Sequence, residues 1–454
     1  MKKIAKLLFI IVFMLICIIP VFTMALFSED ESTEKRELSE KPVLISENSI
    51  NMDYTSQLNT YLSEHFSFRS DLVTLWGVIQ AEFFGTSTQE KVVVGKDNWL
   101  FFSDTLDDYT GRNVFDKYEV SSIVKTMDLI NEVVTENGGK FIFVVAPNKN
   151  TVYSQYMPYY CVEADTAGNF DLLNVALKDK TYYVNVLDKL KNSTEQTYHK
   201  RDSHWNNLGA QICFSEVMKK TGFESVDYSK VSYSKECIWR GDLDDMIFPK
   251  LNYLDEQVVY DTKFEYSYIS SFHSEEDINI KTFNENGKGK LIMYRDSFAN
   301  ALIPFFSSTY QTADYTRVQP FRFNALVLGN YDTYVVEMAE RNLPELLKSA
   351  PLMPAPEREN KGMTVVSDAK VQSRAFLGFT HVYGVLAEQS DCTEIYLKVT
   401  VDGESKVYEA FPIYEKELIE GENAKEQKSR GFSAFLPFIE NTDNVKIEVL
   451  KKGE

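Results

Sequence analysis

The chain is poor in the residues that build metal and redox centres. Its 454 residues include 5 cysteines and 5 histidines. No C-x-x-C pair is present, so neither a zinc ribbon nor a thioredoxin-type motif has its ligands. Cys161, Cys213, Cys237 and Cys392 are scattered, and a disulfide or isolated core thiols fit them equally. Positive charge is also scarce. Lys and Arg number 48 against 67 Asp and Glu, a net charge of -19, and the sequence pI is near 4.9. That balance excludes nucleic acid as a partner and argues against binding to anionic lipid surfaces. No internal repeat is visible. What the chain has in quantity is Tyr (26) and Phe (31). Most such rings pack a core, and some can form a sugar-binding surface.

The first segment stands apart. Lys2, Lys3 and Lys6 precede an apolar run from Leu7 to Phe27, interrupted only by Pro20 and Thr23. Such a run is about long enough to span a bilayer, with the lysines on the cytoplasmic side and the remaining chain outside. A cleaved signal peptide is the alternative, with Thr23-Met24-Ala25 as its site. Residues 1–27 are therefore expected to be a transmembrane signal anchor and 28–50 a charged tether.

Two helical patterns follow between Asn51 and Phe84, then a hairpin: Val92 to Val94, a turn at Gly95-Lys96-Asp97-Asn98, and Trp99 to Phe102. From about 118 the pattern alternates. Helices are expected from Ser121 to Gly138-Gly139, from Asn206 or Asn207 to Thr221, from Ser297 to Phe306 and around Glu340 to Leu347. Strands are expected at Phe141 to Val145, Tyr182 to Val186, Leu291 to Met293 and Asp332 to Val336. Apolar strands between helices predict a parallel sheet covered on both faces, with chemistry at its carboxyl edge. Residues 225–289, aromatic and acidic, fit this pattern poorly and read as an insertion or rim. Pro351, Pro354 and Pro356 mark a linker over 351–362. Beyond it, alternating runs around the Asp402-Gly403 turn predict a β-sandwich over 363–454. The main domain is thus 51–350.

Two short stretches carry chemistry. Asp202-Ser203-His204-Trp205 places a carboxylate two residues before an imidazole. Arg295-Asp296-Ser297-Phe298 places a serine just after the apolar run Leu291 to Met293. A serine at a strand's end, a histidine to take its proton and an aspartate to fix the tautomer make a nucleophilic triad. Each stretch also has a bland reading: Asp202 as a helix cap with His204 packed on Trp205, and Ser297 as an N-cap. Adding His199 to the pair makes a metal reading that lacks further ligands. Asp296 could cap the helix or orient the site. Asn148 and Lys149, at the end of the Phe141 to Val145 strand, are site candidates or plain turn residues.

The order Asp-x-His-Trp followed, about 90 residues later, by Asp-Ser-Phe resembles the DHHW protein family. It is similar to alginate O-acetylation proteins of the AlgX/AlgJ type, which carry a permuted SGNH-hydrolase-like domain. Other stretches resemble the same proteins: Lys35-Arg36-Glu37-Leu38, His65-Phe66-Ser67-Phe68-Arg69, Gly95 to Phe101, Pro147-Asn148-Lys149, Gly241-Asp242-Leu243 and Glu337 to Arg341. The resemblance covers roughly residues 30–350. It implies an α/β fold with an SGNH-hydrolase-like parallel sheet flanked by helices, and Ser297, His204 and Asp202 as catalytic residues. It also implies a cell-surface O-acetyltransferase acting on a polysaccharide or other surface glycan through an acetyl-serine. A membrane-bound acyltransferase would supply the acetyl groups, and no metal or nucleotide cofactor is required. A glycan acetyl esterase would use the same residues, and a noncatalytic glycan-binding component is the reading from another class. Two departures stand out. Arg295 occupies the place of the usual Gly before Asp-Ser, and the usual oxyanion Asn has no clear counterpart. Arg341 lies near where that Asn would fall, either as an electrostatic substitute or paired with Glu337 on one helix. Arg341, Asn148, Lys149, Asp296, Trp205 and Arg295 are therefore the candidate oxyanion or substrate-binding groups.

Overall fold

The computed structural model describes residues 2–24, 38–46, 49–386, 392–414, 430–440 and 445–452. Seven strands form its central sheet. In chain order they are β1 (Lys140–Ala146), β2 (Tyr183–Val184), β3 (Ser267–Tyr268), β4 (Asn279–Phe283), β5 (Lys290–Tyr294), β6 (Thr312–Thr316) and β7 (Thr333–Ala339). Their spatial order is β2-β1-β7-β5-β6-β4-β3. The first five are mutually parallel, and β4 and β3 extend the sheet by antiparallel pairing. All seven residues of β7 are buried, as are the last six of β1. Such runs are what a strand covered on both faces requires.

Helix Lys117–Glu136 packs against β1. Asp116 and Glu119 close a capping box at its start, and Tyr118, Ile123, Met127, Ile130 and Val134 form its buried face. Helix Asn207–Thr221 starts where the Asn206 side chain accepts from the Leu208 and Gly209 N–H groups, at 3.0 and 3.1 Å. The expected helix from Ser297 divides into a tighter turn, Phe298–Leu302, and a helix, Ile303–Ser307.

The region 225–289 is not merely a rim. Tyr233–Trp239 and Asp255–Tyr260 pair as an antiparallel hairpin. Its later part supplies β3 and β4, so the insertion completes the main sheet. The three prolines do not make a loose linker either. Residues 351–356 are mostly buried, Leu352 and Met353 join the main core, and the Ala355 N–H donates to the Phe435 carbonyl at 2.9 Å.

Beyond them the chain is antiparallel throughout: β8 (Glu357–Arg358), β9 (Met363–Val365), β10 (Lys370–Phe376), β11 (Phe379–Val385), β12 (Ile395–Val401), β13 (Glu404–Tyr414), β14 (Arg430–Pro437) and β15 (Lys446–Lys452). They join edge to edge as one sheet, β9-β15-β12-β13-β14-β11-β10, with β8 beside β13. A two-sheet sandwich was expected. Instead β13 pairs with β12 in its first part and with β14 in its last, so one long strand carries the hydrogen bonding from one arm to the other. Val382, Phe432 and Leu436 from one arm share a cluster with Leu397 and Val449 from the other. The sheet also docks on the main domain. Phe411, Ile413, Tyr414 and Phe435 belong to the main core, and the Tyr118 hydroxyl donates to the carbonyls of Ile413 and Gly431, both at 3.3 Å.

At the other end, Lys2–Phe22 is helical. Among the described residues no helix is long and apolar enough to cross a membrane. Residues 25–37, which hold the end of the expected anchor and the first part of the tether, lie outside the described residues.

Candidate active site

Three adjacent strands, β1, β7 and β5, end on one edge of the sheet. The residues that follow them are Asn148 and Lys149, then Glu340, Arg341 and Asn342, then Arg295, Asp296 and Ser297. A fourth segment, residues 197–205, closes over the same edge. A bridge between Tyr198 and Trp205 pinches its base, and the Tyr198 hydroxyl donates to the Pro147 carbonyl at 2.6 Å.

The structure brings Asp202, His204 and Ser297 together. His204 Nδ1 lies 2.7 Å from Asp202 Oδ1, and His204 Nε2 lies 2.7 Å from Ser297 Oγ. These partners assign the tautomer: Nδ1–H donates to the carboxylate, and the Nε2 lone pair faces the hydroxyl. Asp202 accepts three further hydrogen bonds, from the His204 N–H (2.9 Å), the Trp239 indole N–H (3.0 Å) and the Asp242 N–H (3.1 Å). Burial alone would raise the Asp202 carboxyl. The charge and hydrogen bond of His204, the charge of His199 and the Trp239 indole outweigh it and hold the group well below the usual carboxylate range. For His204 the signs reverse. Burial disfavours the imidazolium, but the charge and hydrogen bond of Asp202, with Asp242 behind them, raise its pKa above the ordinary value.

Asp242 starts the helix Asp242–Ile247 and holds Ser203, accepting from its N–H at 2.7 Å and its hydroxyl at 2.6 Å. Its Oδ2 is 3.6 Å from His204 Nδ1. Glycine is required just before it. A Cβ on Gly241 would stand 2.1 Å from the Arg201 carbonyl oxygen, inside any tolerable contact. Ligand atoms of Asp202, His204 and Asp242 lie within 4.8 Å of one another, close enough to share a cation. The carboxylate oxygens nearest His204 already carry hydrogen bonds, from Nδ1 to Asp202 and from the Ser203 hydroxyl to Asp242. His199 is turned away from this group. It stacks on Trp239, with ring centroids 4.9 Å apart, and its Nδ1–H donates to the Glu256 carbonyl at 3.2 Å. Burial lowers its pKa to about 4, so it is neutral at pH 7.

Most of the expected oxyanion or substrate-binding groups hold the loops rather than line an open surface. Trp205 is buried, and its indole N–H donates to the Phe298 carbonyl at 2.8 Å, tying the histidine loop to the serine turn. Asp296 is a latch: Oδ1 accepts from the Phe298 N–H, and Oδ2 from the Ala339 N–H and the Asn342 side chain, both at 2.7 Å. Arg295 is buried with its guanidinium bonded to Asn300 Oδ1 (2.6 Å) and the carbonyls of Glu275 (2.8 Å) and Asp277 (3.1 Å). The usual glycine is thus replaced by a clamp on the loop before β4. Lys149 is buried and donates to three carbonyls of the histidine loop. Asn148 is buried with its N–H on Glu340 Oε2 at 2.7 Å and its Oδ1 unpartnered.

Arg341 differs from these. Glu337 lies in strand β7, so the two cannot pair along one helix. The Arg341 guanidinium carbon sits 5.4 Å from the Phe102 ring centroid and 5.2 Å from that of Phe298, the residue after Ser297. Its charge reaches the imidazole and opposes protonation of His204. It is half-buried and makes no hydrogen bond or ion pair to another group among the described residues.

Sequence reasoning assigned no role to Trp239, Asp242, Glu340 or Asn342, and gave Glu337 only a pairing with Arg341. Glu337 accepts from the Asp296 N–H at 3.2 Å, and Glu340 from Asn148 and Thr151. Burial, reinforced by neighbouring carboxylates, pushes both carboxyls well up. Gly241-Asp242-Leu243 and Glu337 to Arg341 were visible as motifs, but no spacing rule links them to residues so far away in the chain.

Residues 92–232 match the family described as the SGNH hydrolase-like domain of the acetyltransferase AlgX. The matched segment is less than a third of the chain. It contains Asp202 and His204 and ends before Ser297. Over that segment the chain is similar to an SGNH hydrolase-like domain of the AlgX kind, the same family that the sequence motifs resemble. No curated protein matches the chain. Among solved structures it is similar to a DHHW family protein from Eubacterium siraeum (18% identity, 49% of this chain and 85% of that one, TM-score 0.38). It is also similar to Bacillus cereus PatB1 with a sulfonyl adduct (14%, 56% and 97%, TM-score 0.44). A third is the O-acetyltransferase domain of Pseudomonas putida AlgJ (14%, 56% and 92%, TM-score 0.35).

Proposed function

We propose that the protein is an O-acetyltransferase of a polysaccharide or other surface glycan, working through an acetyl-serine. The observation that carries this reading is the hydrogen-bonded chain from Asp202 through His204 to Ser297, at the carboxyl edge of a parallel sheet. His204 Nε2 removes the Ser297 hydroxyl proton as Oγ bonds to the acetyl carbon of the donor. Asp202 keeps Nδ1–H in place and stabilises the imidazolium. The negative charge then forming on the carbonyl oxygen is met by Arg341 and the backbone N–H of Ser297, neither of which donates elsewhere among the described residues. The Nε2 proton passes to the leaving group as its bond to carbon breaks. A glycan hydroxyl next attacks the acetyl-serine, gives its proton to Nε2, and Ser297 is released with the same proton.

The chain works outside the cytoplasmic membrane in this reading, held by its N-terminal helix and fed by a membrane-bound acyltransferase. Two features support that location. Lys2, Lys3 and Lys6 precede the apolar run. Helix Arg69–Ile79 buries small residues (Ser70, Thr74, Gly77) and exposes large ones, Leu72, Leu75 and Trp76. The loop before it meets the end of the N-terminal helix, where the Ser67 N–H donates to the Pro20 carbonyl at 3.1 Å.

The test is an activated acetyl ester given to the full chain with and without oligosaccharide, followed by peptide mass analysis. Acetyl on Ser297, discharged faster by oligosaccharide than by water, is the expected result. Discharge to water alone would make the protein an acetyl esterase. Equal turnover by Ser297→Ala would refute the nucleophile.

A further inference from the structure

Lys149 is a cation placed where no substrate can reach it. Only 3% of its surface is exposed. Its ammonium lies 5.6 Å from the Trp99 ring centroid and 5.3 Å from that of Phe101, so aromatic faces close one side. On the other side are the carbonyl oxygens of His199 (3.2 Å), Lys200 (3.0 Å) and Asp202 (2.5 Å). An ammonium has three N–H donors, and all three are used. The carbonyls belong to the loop that ends in His204, and its backbone there has no regular ladder to hold it. The Lys200 carbonyl also accepts from the Leu100 N–H at 2.9 Å, which ties the same loop to the Val92–Phe102 hairpin.

We propose that Lys149 is a positioning residue for the reaction: its protonated amine fixes the 199–202 loop so that the Asp202–His204 pair points at Ser297, and loss of that proton releases the loop. The inference rests on the proposed roles of His204 and Ser297. A neutral amine has two N–H donors and a lone pair, so one of the three carbonyls would then face a lone pair instead of a proton. The groups that face the ammonium are the carboxylates of Asp202, Asp242 and Asp255, which are charged, and the imidazole of His199, which is neutral at pH 7. Burial is the largest influence and outweighs the three carboxylates, bringing the amine down to about 8. That places the switch within a pH unit or so of neutrality. Reactivity of Ser297 then rises as pH passes the raised His204 value and falls as it passes that of Lys149.

The experiment is the rate of Ser297 labelling of the full chain by an arylsulfonyl fluoride, from about pH 5 to 10. The wild type should show a bell with an alkaline limb near that of Lys149. Lys149→Met should lose the alkaline limb, with its plateau rate lowered on the order of 10²-fold and reagent affinity little changed, because the loop is misplaced but the reagent site is not. Lys149→Arg, which stays charged throughout, should also lose the limb. A wild-type plateau that runs level to pH 10 overturns the proposal without recourse to any variant. So does a Lys149→Met protein that keeps both the wild-type rate and the limb. If Ser297 is not labelled in the wild type at any pH, the triad reading fails first, and that outcome is distinct from a labelled serine with no alkaline limb.

Discussion

Trp239→Phe removes the indole N–H donor beside Asp202 and keeps an aromatic ring in its place. The indole N–H donates to Asp202 Oδ2 at 3.0 Å, and the ring stacks on His199 within 5° of parallel. Phenylalanine keeps the stack and loses the donor. A hydrogen bond to a charged group contributes about 1.5–3 kcal/mol. The lower end applies, because Trp239 is 40% exposed and water can follow the missing indole. Asp202 has a depressed carboxyl in the folded protein, so its stabilisation is present above the unfolded carboxyl value and is lost as pH falls through the folded one. The variant should therefore lose about 1.5 kcal/mol at pH 7 and begin acid unfolding at higher pH than the wild type. Catalysis should respond with a definite sign. A carboxylate with one donor fewer is a stronger partner for the imidazolium, so the His204 pKa should rise and the acid limb of Ser297 labelling should move to higher pH. The plateau above that limb should change little. Denaturant unfolding followed by circular dichroism reads the first effect, and sulfonyl fluoride labelling the second. An acid limb that moves to lower pH would refute the assignment of Trp239 as a donor to the Asp202 carboxylate.

Other outcomes follow from the same geometry. Arg341→Met should lower kcat for an activated acetyl ester by about 10²–10³-fold with a small change in KM, since its charge is needed where negative charge develops; equal kcat would remove Arg341 from the site. Asp202→Asn should cost about 10⁴-fold, because the amide holds the imidazole in the wrong tautomer. Treatment with a chelator should leave Ser297 labelling unchanged, as the Asp202–His204 contact is a hydrogen bond; a loss restored by a divalent cation would reinstate the metal reading of Asp202, His204 and Asp242. Arg358 joins the C-terminal sheet to helix Lys117–Glu136 through two 2.6 Å bonds to Glu132 and one of 2.7 Å to Glu409. Its replacement by Ala should cost about 1–3 kcal/mol, read by denaturant unfolding, because the Glu409 carboxylate is buried and, among the described residues, keeps only Lys125 as its cation.

The sequence by itself determined the local elements and the chemistry at hand. Strands β1, β5 and β7 are short apolar runs whose burial on both faces forces their composition, and helix Asn207–Thr221 begins at the Asn that caps it. Asp202, His204 and Ser297 were legible because a carboxylate two residues from an imidazole and a serine at a strand's end are local patterns. Their meeting was not. It depends on β5 lying beside β7 and β7 beside β1, and on the Tyr198–Trp205 bridge folding the histidine over that edge. Only the tertiary structure decided what surrounds the three. Trp239 and Asp242 come from the stretch that read as a rim, because nothing in an aromatic, acidic sequence announces that its backbone passes against Arg201. Lys149 read as a site candidate or a plain turn residue and Arg295 as a candidate substrate-binding group in place of the usual Gly, because sequence does not show which charges are buried. The fold instead surrounds the Lys149 ammonium with three carbonyl oxygens and gives the two terminal nitrogens of Arg295 acceptors on Asn300, Glu275 and Asp277, which replace much of the lost water. Arg341 was ambiguous for the opposite reason: its pairing with Glu337 presumed a helix where β7 runs straight. The C-terminal strands were legible as strands, but the length of β13, which carries the ladder across both arms, becomes an architecture only when its partners are in place.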